Sequence, residues 1–284
     1  MDERTARILL SSYAQPADES VGALVAQFGA CQTLEKLKTD QTKSAVAKRI
    51  RNADLMADFK KIMNESQLSG SEIIIPSDDC WPGKLNDLDF ATPLCLWVKG
   101  DFDLPNLTST AISIVGARAA TNYGERISGE IGSILGEWGI TSISGAAYGI
   151  DAAAHRGTIA AGGNSIAVLA CGIDLAYPSA HKALLDRISE SGSVISESPP
   201  GSPPLKHRFL TRNRIIAALS SEVVVVEAAL RSGSLSTANW ANVIGRKVWG
   251  VPGPITSPTS AGVHQGIRNK SMEILLEPAD LIST

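Results

Sequence analysis

The chain has 284 residues, of which 44% are hydrophobic and 19% are charged, so its composition is that of a packed globular protein and not of a disordered one. No apolar run approaches the roughly 20 residues that a membrane-spanning helix needs, and the N-terminal stretch carries acidic residues and lacks the core of a signal peptide. Four scattered cysteines without a CxxC pair are typical of reduced thiols. We therefore expect a cytoplasmic protein without a membrane partner, a disulfide framework or a zinc site.

The formal net charge is −3, which by itself argues against a nucleic-acid partner. The charge is unevenly distributed, because residues 1–108 carry a net −4 and residues 109–284 carry a net +1. In the second part, basic residues cluster between positions 206 and 214. A local cluster of this kind can bind polyanions even when the total charge of the protein is negative.

Residues 1–70 are predicted to form a small helical domain of the sterile-alpha-motif or helix-hairpin-helix type. Apolar residues recur there at helical spacing, and Gly29 suits the end of a helix. Two interpretations are open: a unit that touches the DNA backbone, or a small bundle used for packing or partner contact. The second is favoured, because the segment is acidic and acidic side chains repel phosphate.

Residues 71–108 are predicted to form a β-rich connector packed on the following domain. Strands are expected at 73–75 and 94–98, and several prolines punctuate the segment. This pattern favours an ordered element over a flexible linker.

From residue 109 to residue 284, apolar strands alternate with helical stretches. Strands are predicted at 111–115, 141–143, 165–170, 193–195, 223–226 and 247–251. Helices are predicted at 122–138, 149–161, 178–191, 211–220 and 234–245. The alternation predicts an extended Rossmann-like α/β fold, with a mostly parallel sheet and helices on both faces, preceded by the small N-terminal helical domain.

Glycine-containing turns follow several of the predicted strands, and ligands of such sheets sit at the carboxyl ends of the strands. Glycine lets the backbone approach an anion, and a helix N-terminus offers it unpaired N–H groups. The candidate phosphate-binding residues in these turns are Gly116, Ser144, Gly145, Tyr148, Gly149, Asp151 and His155. A structural role is favoured for two of them: Asp151 is expected to cap its helix, and His155 to bond nearby backbone or ligand.

The basic cluster is predicted to form a loop that leads into the buried strand at 223–226. Arginine forks match pairs of phosphate oxygens. Phe209, between the basic residues, either stacks on a nucleobase or anchors the loop in the core. For Arg212 and Arg214 the alternative is ion pairing with Glu197 or Glu227. With Arg118 and the turn Ser232-Gly233-Ser234, the loop is predicted to form a composite phosphate pocket.

Several enzyme signatures are absent from the sequence, namely GxxxxGK[ST], GxGxxG and GxSxG. No nucleophile is paired with a base at a recognisable spacing, and the four histidines do not have the spacing of metal ligands. We therefore expect a protein that binds without turnover, is not an enzyme, and has no cofactor and no metal.

A series of motifs resembles the DNA-processing protein A family (DprA, also called Smf) over about residues 71–284. In chain order the motifs are IVGARAATNYG, SGAAYGIDAAAH, YPSAHKALL, SESPPG, RNRIIAALSSEVVVVEA, SGSLSTA and GRKVWGVPG. The resemblance implies a single-stranded DNA-binding recombination mediator that protects incoming strands and loads a RecA-type recombinase in natural transformation. It further implies a homodimer formed through the C-terminal part, around His264 to Leu276, and no ATP hydrolysis.

The family resemblance also carries residue roles. DNA contacts transfer to Arg118, Lys182, Arg208, Phe209, Arg212, Asn213 and Arg214, with Ser232, Gly233 and Ser234 lining the same pocket. Lys206 joins them as part of the basic cluster.

The chain departs from the family pattern in three respects. Leu210 stands where the family usually has proline, so the basic segment is expected to be looser. The winged-helix-like C-terminal domain of many members is expected to be missing. Because aromatic residues make up only 5% of the chain, phosphate contacts are expected to dominate DNA binding.

Two other hypotheses remain open. One is a nucleotide-binding sensor or phosphoribohydrolase-like enzyme on the same fold. The stretch SGSLSTANW keeps Thr237 of the hydrolase pattern but has Trp240 where that pattern needs its catalytic glutamate. The other is a protein-interaction module whose DNA site has decayed.

Overall fold

The computed structural model describes residues 1–40 and 44–282. Residues 41–43 of the predicted helical domain, and residues 283–284 at the end of the predicted core, lie outside the described residues. The helices are α1 Glu3–Tyr13, α2 Glu19–Thr39, α3 Ala45–Arg51, α4 Leu55–Ser69, α5 Leu104–Thr108, α6 Asn122–Glu137, α7 Ile150–Ala160, α8 Lys182–Ser191, α9 Lys206–Leu219, α10 Ser234–Val243 and α11 Ala261–Arg268. The strands are β1 Glu72–Ile74, β2 Leu96–Gly100, β3 Ile112–Val115, β4 Ser142–Ser144, β5 Ser165–Val168, β6 Ser193–Ser196, β7 Glu222–Val225, β8 Lys247–Gly250 and β9 Glu273–Ile274. Within the described ranges, 3₁₀ segments occur at Gly83–Ala91, Ser179–His181 and Pro278–Ile282.

The strands of the described residues form one sheet in the order β1-β2-β6-β5-β4-β3-β7-β8-β9. From β6 to β9 each strand is parallel to its neighbours, whereas β2 pairs antiparallel with both β1 and β6. The chain enters the parallel part at β3, winds outward through β4, β5 and β6, and returns to place β7 beside β3. The order of strands therefore reverses between β3 and β7, where sheets of this kind bind ligands. The predicted α/β fold with a mostly parallel sheet is confirmed.

Strands β3 and β7 at the centre of the sheet are buried along their whole length, as expected for parallel strands that helices cover on both faces. On β3, Ile112 and Ile114 pack in one cluster with residues of α6 and α7. Val115 belongs to the opposite cluster, which holds Ile215 and Ile216 of α9.

The four N-terminal helices share a core of their own, which includes Leu9, Leu10 and Leu34. The backbone of α2 is interrupted at Gly29, with φ 77°, in agreement with the helix end expected there. The helices also pack against the sheet, since the indole of Trp97 on β2 donates to Ser66 Oγ of α4 at 2.9 Å. Strands β1 and β2 of the predicted connector are thus part of the main sheet and support the N-terminal helices.

No helix within the described ranges combines the length and the hydropathy that crossing a membrane requires.

Candidate nucleic-acid interface

A cleft of about 1120 Å³ lies at the carboxyl edge of the sheet, where the strand order reverses between β3 and β7. Its walls are the loop after β3, one face of α9, and the loop that leads from β7 into α10. The structure brings ten of the sequence-predicted residues into its lining: Gly116, Arg118, Asp151, Lys206, Phe209, Arg212, Asn213, Ser232, Gly233 and Ser234. The three walls proposed from the sequence therefore meet in one place.

The charged side chains of the described lining are mainly cationic. Arg118, Lys206, Arg212 and Arg231 face a single carboxylate, that of Asp151. Arg231 was not among the predicted residues, although it directly precedes the predicted Ser232-Gly233-Ser234 turn. Several cations in one concave site concentrate positive potential there although the whole chain is negative.

Arg212 is the innermost of these cations, with only 4% of its surface exposed. Its Nη1 donates to the Val168 carbonyl at the end of β5, and its Nε has no hydrogen-bond partner among the described residues. Burial lowers the pKa of Arg212 to about 10, while the neighbouring Asp151 acts in the opposite direction. The guanidinium therefore remains charged at neutral pH.

Gly145 lies against this guanidinium, where any side chain would overlap it. The glycine thus makes room for Arg212 and does not open the backbone to a phosphate.

The side chain of Asp151, in the first turn of α7, points back into the turn between β4 and α7. Its carboxylate accepts hydrogen bonds from the N–H groups of Gly145, at 3.2 Å, and Ala147, at 3.3 Å. Burial raises the pKa of this carboxyl, and Arg212 opposes that shift. The predicted capping role is wrong, because the N-cap of α7 is Gly149 and Asp151 bonds the preceding turn. These N–H groups are not free for phosphate, which corrects the prediction of a phosphate-binding turn at Ser144, Gly145 and Asp151.

Three further residues of the predicted phosphate turns have structural contacts. Ser144 Oγ donates to the Ile114 carbonyl at 2.6 Å, and a side chain at Gly149 would overlap the Ala117 carbonyl. His155 lies inside the protein with Nδ1 2.7 Å from Ser165 Oγ, and burial lowers its pKa to about 3. His155 is therefore an uncharged residue of the interior and not a ligand contact.

The basic segment is a helix and not the loop predicted from the sequence: α9 begins at Lys206. Pro203 and Pro204 lie just before the helix, and neither Gly nor Pro interrupts residues 205–219. Helical geometry divides the basic residues between two faces, because positions three and four apart share a side. The cleft receives Lys206, Phe209, Leu210, Arg212, Asn213 and Ile216, while Arg208 and Arg214 point elsewhere.

Arg214 is fully buried and belongs to the core. Its Nη1 and Nη2 donate to the two carboxylate oxygens of Glu197 at 2.6 and 2.5 Å, and its Nε donates to the Ala91 carbonyl at 2.8 Å. The ion-pairing alternative is therefore the one observed for Arg214, which is corrected as a DNA contact. Glu227 instead accepts from the N–H and the hydroxyl of Thr121 at the start of α6.

Two other predicted contacts lie outside the cleft lining. Arg208 Nη1 donates to the Pro203 carbonyl at 3.2 Å. Lys182 is exposed and pairs with Asp186 at 2.6 Å on α8. They are not brought together with the other predicted residues.

Phe209 is held between two side chains at the cleft wall. The guanidinium carbon of Arg118 lies 4.6 Å from its ring centroid, a cation–π arrangement. Tyr177, which was not predicted, packs against it with ring centroids 5.4 Å apart. The neighbouring Leu210, in place of the family proline, continues the helix and lies close to Gly233.

The N-terminus of α10 forms the wall opposite α9. Its N-cap Gly233 supplies no side-chain cap, and the Gly233 carbonyl accepts from Asn213 Nδ2 at 3.0 Å. Ser232 Oγ and Ser234 Oγ lie 2.7 Å apart. A helix N-terminus beside clustered arginines favours a negatively charged group.

Together these features define a Rossmann-like protein. It has a cationic cleft where the strand order reverses between β3 and β7, and such a cleft is suited to polyanionic ligands. Residues 72–284 match the family model described as DNA recombination-mediator protein A. The chain belongs to this family.

Relatives across most of the chain support the assignment. A putative DNA processing protein DprA of Mycobacterium tuberculosis is 39% identical over 290 residues, covering 96% of this chain and 72% of the relative. The DNA processing protein DprA of Streptococcus pneumoniae is also 39% identical, covering 78% of this chain and 73% of the relative.

Two solved structures are similar as well. The X-ray structure of DprA from Streptococcus pneumoniae matches with a TM-score of 0.82 at 30% identity, covering 97% of this chain and 95% of that one. DNA processing protein A from Helicobacter pylori, whose structure describes its single-stranded DNA binding mode, matches with a TM-score of 0.66 at 25% identity, covering 75% and 95%.

Proposed function

We propose that this protein binds single-stranded DNA in the cleft between β3 and β7 and acts as a recombination mediator without catalysing a reaction. The observation that carries the proposal is the lining of the cleft, where four cationic side chains face one carboxylate that is already hydrogen-bonded. The single-stranded DNA binding of the Helicobacter pylori relative supports the choice of ligand.

The cationic residues of the cleft differ in exposure and therefore have different roles in the proposed DNA binding. Arg118, Lys206 and Arg231 are exposed and offer their charges to backbone phosphates. Arg212 is buried and held by the Val168 carbonyl, so it places a fixed positive charge at the base of the cleft. The N-terminus of α10, which begins after Gly233, adds the positive end of a helix dipole to this wall of the cleft.

Fluorescence anisotropy with a labelled single strand, repeated over a salt series, tests the DNA-binding proposal. Affinity should fall steeply with salt, and Arg118→Ala or Arg231→Ala should each reduce the slope of log K against log salt by about one. Arg156→Ala serves as the matched control, because Arg156 is an exposed arginine of α7 outside the cleft lining. Wild-type protein that fails to bind at low salt would overturn the proposal.

Loading of a RecA-type recombinase and protection of the strand belong to the same proposal. They are supported by membership of a family of recombination mediators. The protein should shorten the lag before the recombinase hydrolyses ATP on a strand coated with single-strand-binding protein, and should slow nuclease digestion of a bare strand. Recombinase binding by a protein without strand affinity would instead support the interaction-module hypothesis.

The hydrolase alternative has less structural support. Trp240, at the position of the catalytic glutamate in the hydrolase pattern, packs against the apolar core. Thr237 does line the cleft, so a nucleotide can still be tested there. Incubation with AMP followed by chromatography should release no free base, and release of adenine would favour the enzyme.

Self-association through residues 264–276 and a cytoplasmic location complete the proposal. The first is supported by exposed Ile274 and Leu276 at the end of the sheet, and the second by four unpaired cysteines. Cell fractionation would test the location.

A further inference from the structure

The turn between β4 and α7 presents an aromatic side chain in a place where phosphate contacts were expected. Tyr148 lies at its tip with 49% of its surface exposed, directly after Ala147 of the cleft lining. Tyr177 lines the cleft itself and is 41% exposed. Exposed aromatic rings that continue a cationic groove are the usual platforms for bases of a single strand.

The backbone of this turn is built to hold Tyr148 outward. Ala146 has the left-handed φ of 51°, which is rare for a residue with a side chain, and Gly149 has φ 73°. The turn is fixed from inside by the Asp151 carboxylate, and its Ala146 carbonyl lies 2.9 Å from Nδ1 of the buried His181. The His181 ring also meets the Tyr148 ring edge-on, with centroids 4.8 Å apart.

Phe209 is less available than these tyrosines. The Arg118 guanidinium covers one face of its ring and Tyr177 packs against it. A base can stack on the covered face only by displacing Arg118. The tyrosines are therefore the rings most open to a ligand at this end of the cleft.

We infer that Tyr177 and Tyr148 are stacking platforms for two bases of the bound strand, Tyr177 at the rim of the cleft and Tyr148 beyond it on the path to Lys182. Lys182 follows His181 at the start of α8, and its exposed pair with Asp186 is of a kind that competes weakly with phosphate. On this path the DNA strand leaves the phosphate-binding cleft over the exposed rings of Tyr177 and Tyr148. This inference rests on the proposed DNA-binding function and deepens it.

Anisotropy with a labelled oligothymidylate distinguishes stacking from charge contacts. Tyr148→Ala and Tyr177→Ala should each weaken binding by about 5- to 150-fold, which is the loss of one base–aromatic stack. The salt slope should stay unchanged, because no phosphate contact is removed. Tyr148→Phe should bind like the wild type. Trp138→Ala is the matched control, since Trp138 is 40% exposed but lies at the far end of α6, about 24 Å along that helix from the carboxyl edge of the sheet.

An abasic scan of the oligonucleotide adds a measurement that a purely structural role does not affect. Removing the base that stacks on Tyr148 should weaken wild-type binding and should cause no further loss in Tyr148→Ala. If the alanine variants bind like the wild type, or lose affinity equally at every abasic position, the inference is wrong while the proposed function stands. If the wild type binds no single strand at all, both fall.

Photocrosslinking keeps the inference testable if an alanine variant does not fold. Wild-type protein irradiated with an oligonucleotide containing 5-iododeoxyuridine should yield crosslinked peptides with Tyr148 and Tyr177. Crosslinks confined to Phe209 would overturn the assignment.

Discussion

Arg214 lies wholly inside the protein, where its guanidinium donates to both oxygens of Glu197 and to the Ala91 carbonyl. Removing one partner of such a pair leaves the other charge buried without compensation. Arg214→Ala is therefore expected to lower the free energy of unfolding by about 3–5 kcal/mol, measured by urea titration. Changing both partners, Arg214→Met with Glu197→Met, should be less harmful than the single change. A stable Arg214→Ala protein that had lost only its strand affinity would contradict the structural role.

His155 makes the stability of the protein depend on pH. Burial lowers its pKa to about 3, with His181 and Arg212 acting in the same direction, whereas an unfolded chain has a value of about 6.5. As the pH falls from about 6.5 towards 3, the unfolded state therefore binds the proton first, and this residue removes up to about 1.4 kcal/mol of stability per pH unit. Above about pH 6.5 this loss of stability is absent, because His155 is neutral in both the folded and the unfolded state.

The comparison of wild type with His155→Gln isolates this effect, because other titrating groups are common to both proteins. Urea unfolding at several pH values should show a steeper acid-side loss for the wild type. Parallel curves for the two proteins would show that His155 is not titrating as its burial implies.

Helices α6 and α7 approach each other closely through small residues. A side chain at Gly132 of α6 would overlap the Ala154 carbonyl of α7, whereas one at Gly129 would lie 3.8 Å from the nearest atom. Gly132→Ala is expected to destabilise the protein by about 1–3 kcal/mol. Gly129→Ala, the same chemical change one turn away, should be neutral or stabilising by up to about 1 kcal/mol, because alanine favours the helix. Thermal unfolding of the two variants tests the contact, and equal melting temperatures would contradict it.

The elements of the core were predictable to different degrees. Strand β7 follows from Val223–Val226, since an apolar β-branched run is typical of a strand buried on both faces. The sequence pattern predicts a start of helix α9 that is five residues too late, because the first turns of the helix carry cations and Phe209 towards a cleft and so lack an apolar stripe. Pattern reasoning detects the burial of a helix against a core, and not a helix whose exposed face serves a ligand.

The sequence predicts which residue types line the candidate site, but it does not predict which atoms those residues contact. Basic residues and glycine turns indicate the edge of the sheet at which the structure has its cationic cleft. Which arginine enters the cleft depends on the angular position of each residue on α9. Whether a turn binds phosphate depends on whether a side chain such as Asp151 already occupies its N–H groups. Both are properties of three-dimensional placement that spacing alone does not contain.

At the scale of the whole molecule, the sheet of the described residues ends at β9, a short and exposed strand, and an exposed edge strand is a template for association. Ile274 is 43% exposed and Leu276 is 74% exposed there. If this edge forms the proposed homodimer, the paired change Ile274→Glu and Leu276→Glu should give a monomer in sedimentation velocity, because one surface patch is used by both subunits. Leu68→Glu is the control, since Leu68 is 79% exposed on α4.

The monomeric variant should keep the salt slope of single-stranded DNA binding. It should lose apparent affinity for long strands, because two linked sites bind such strands together in the dimer. A variant that remains dimeric would place the self-association surface elsewhere.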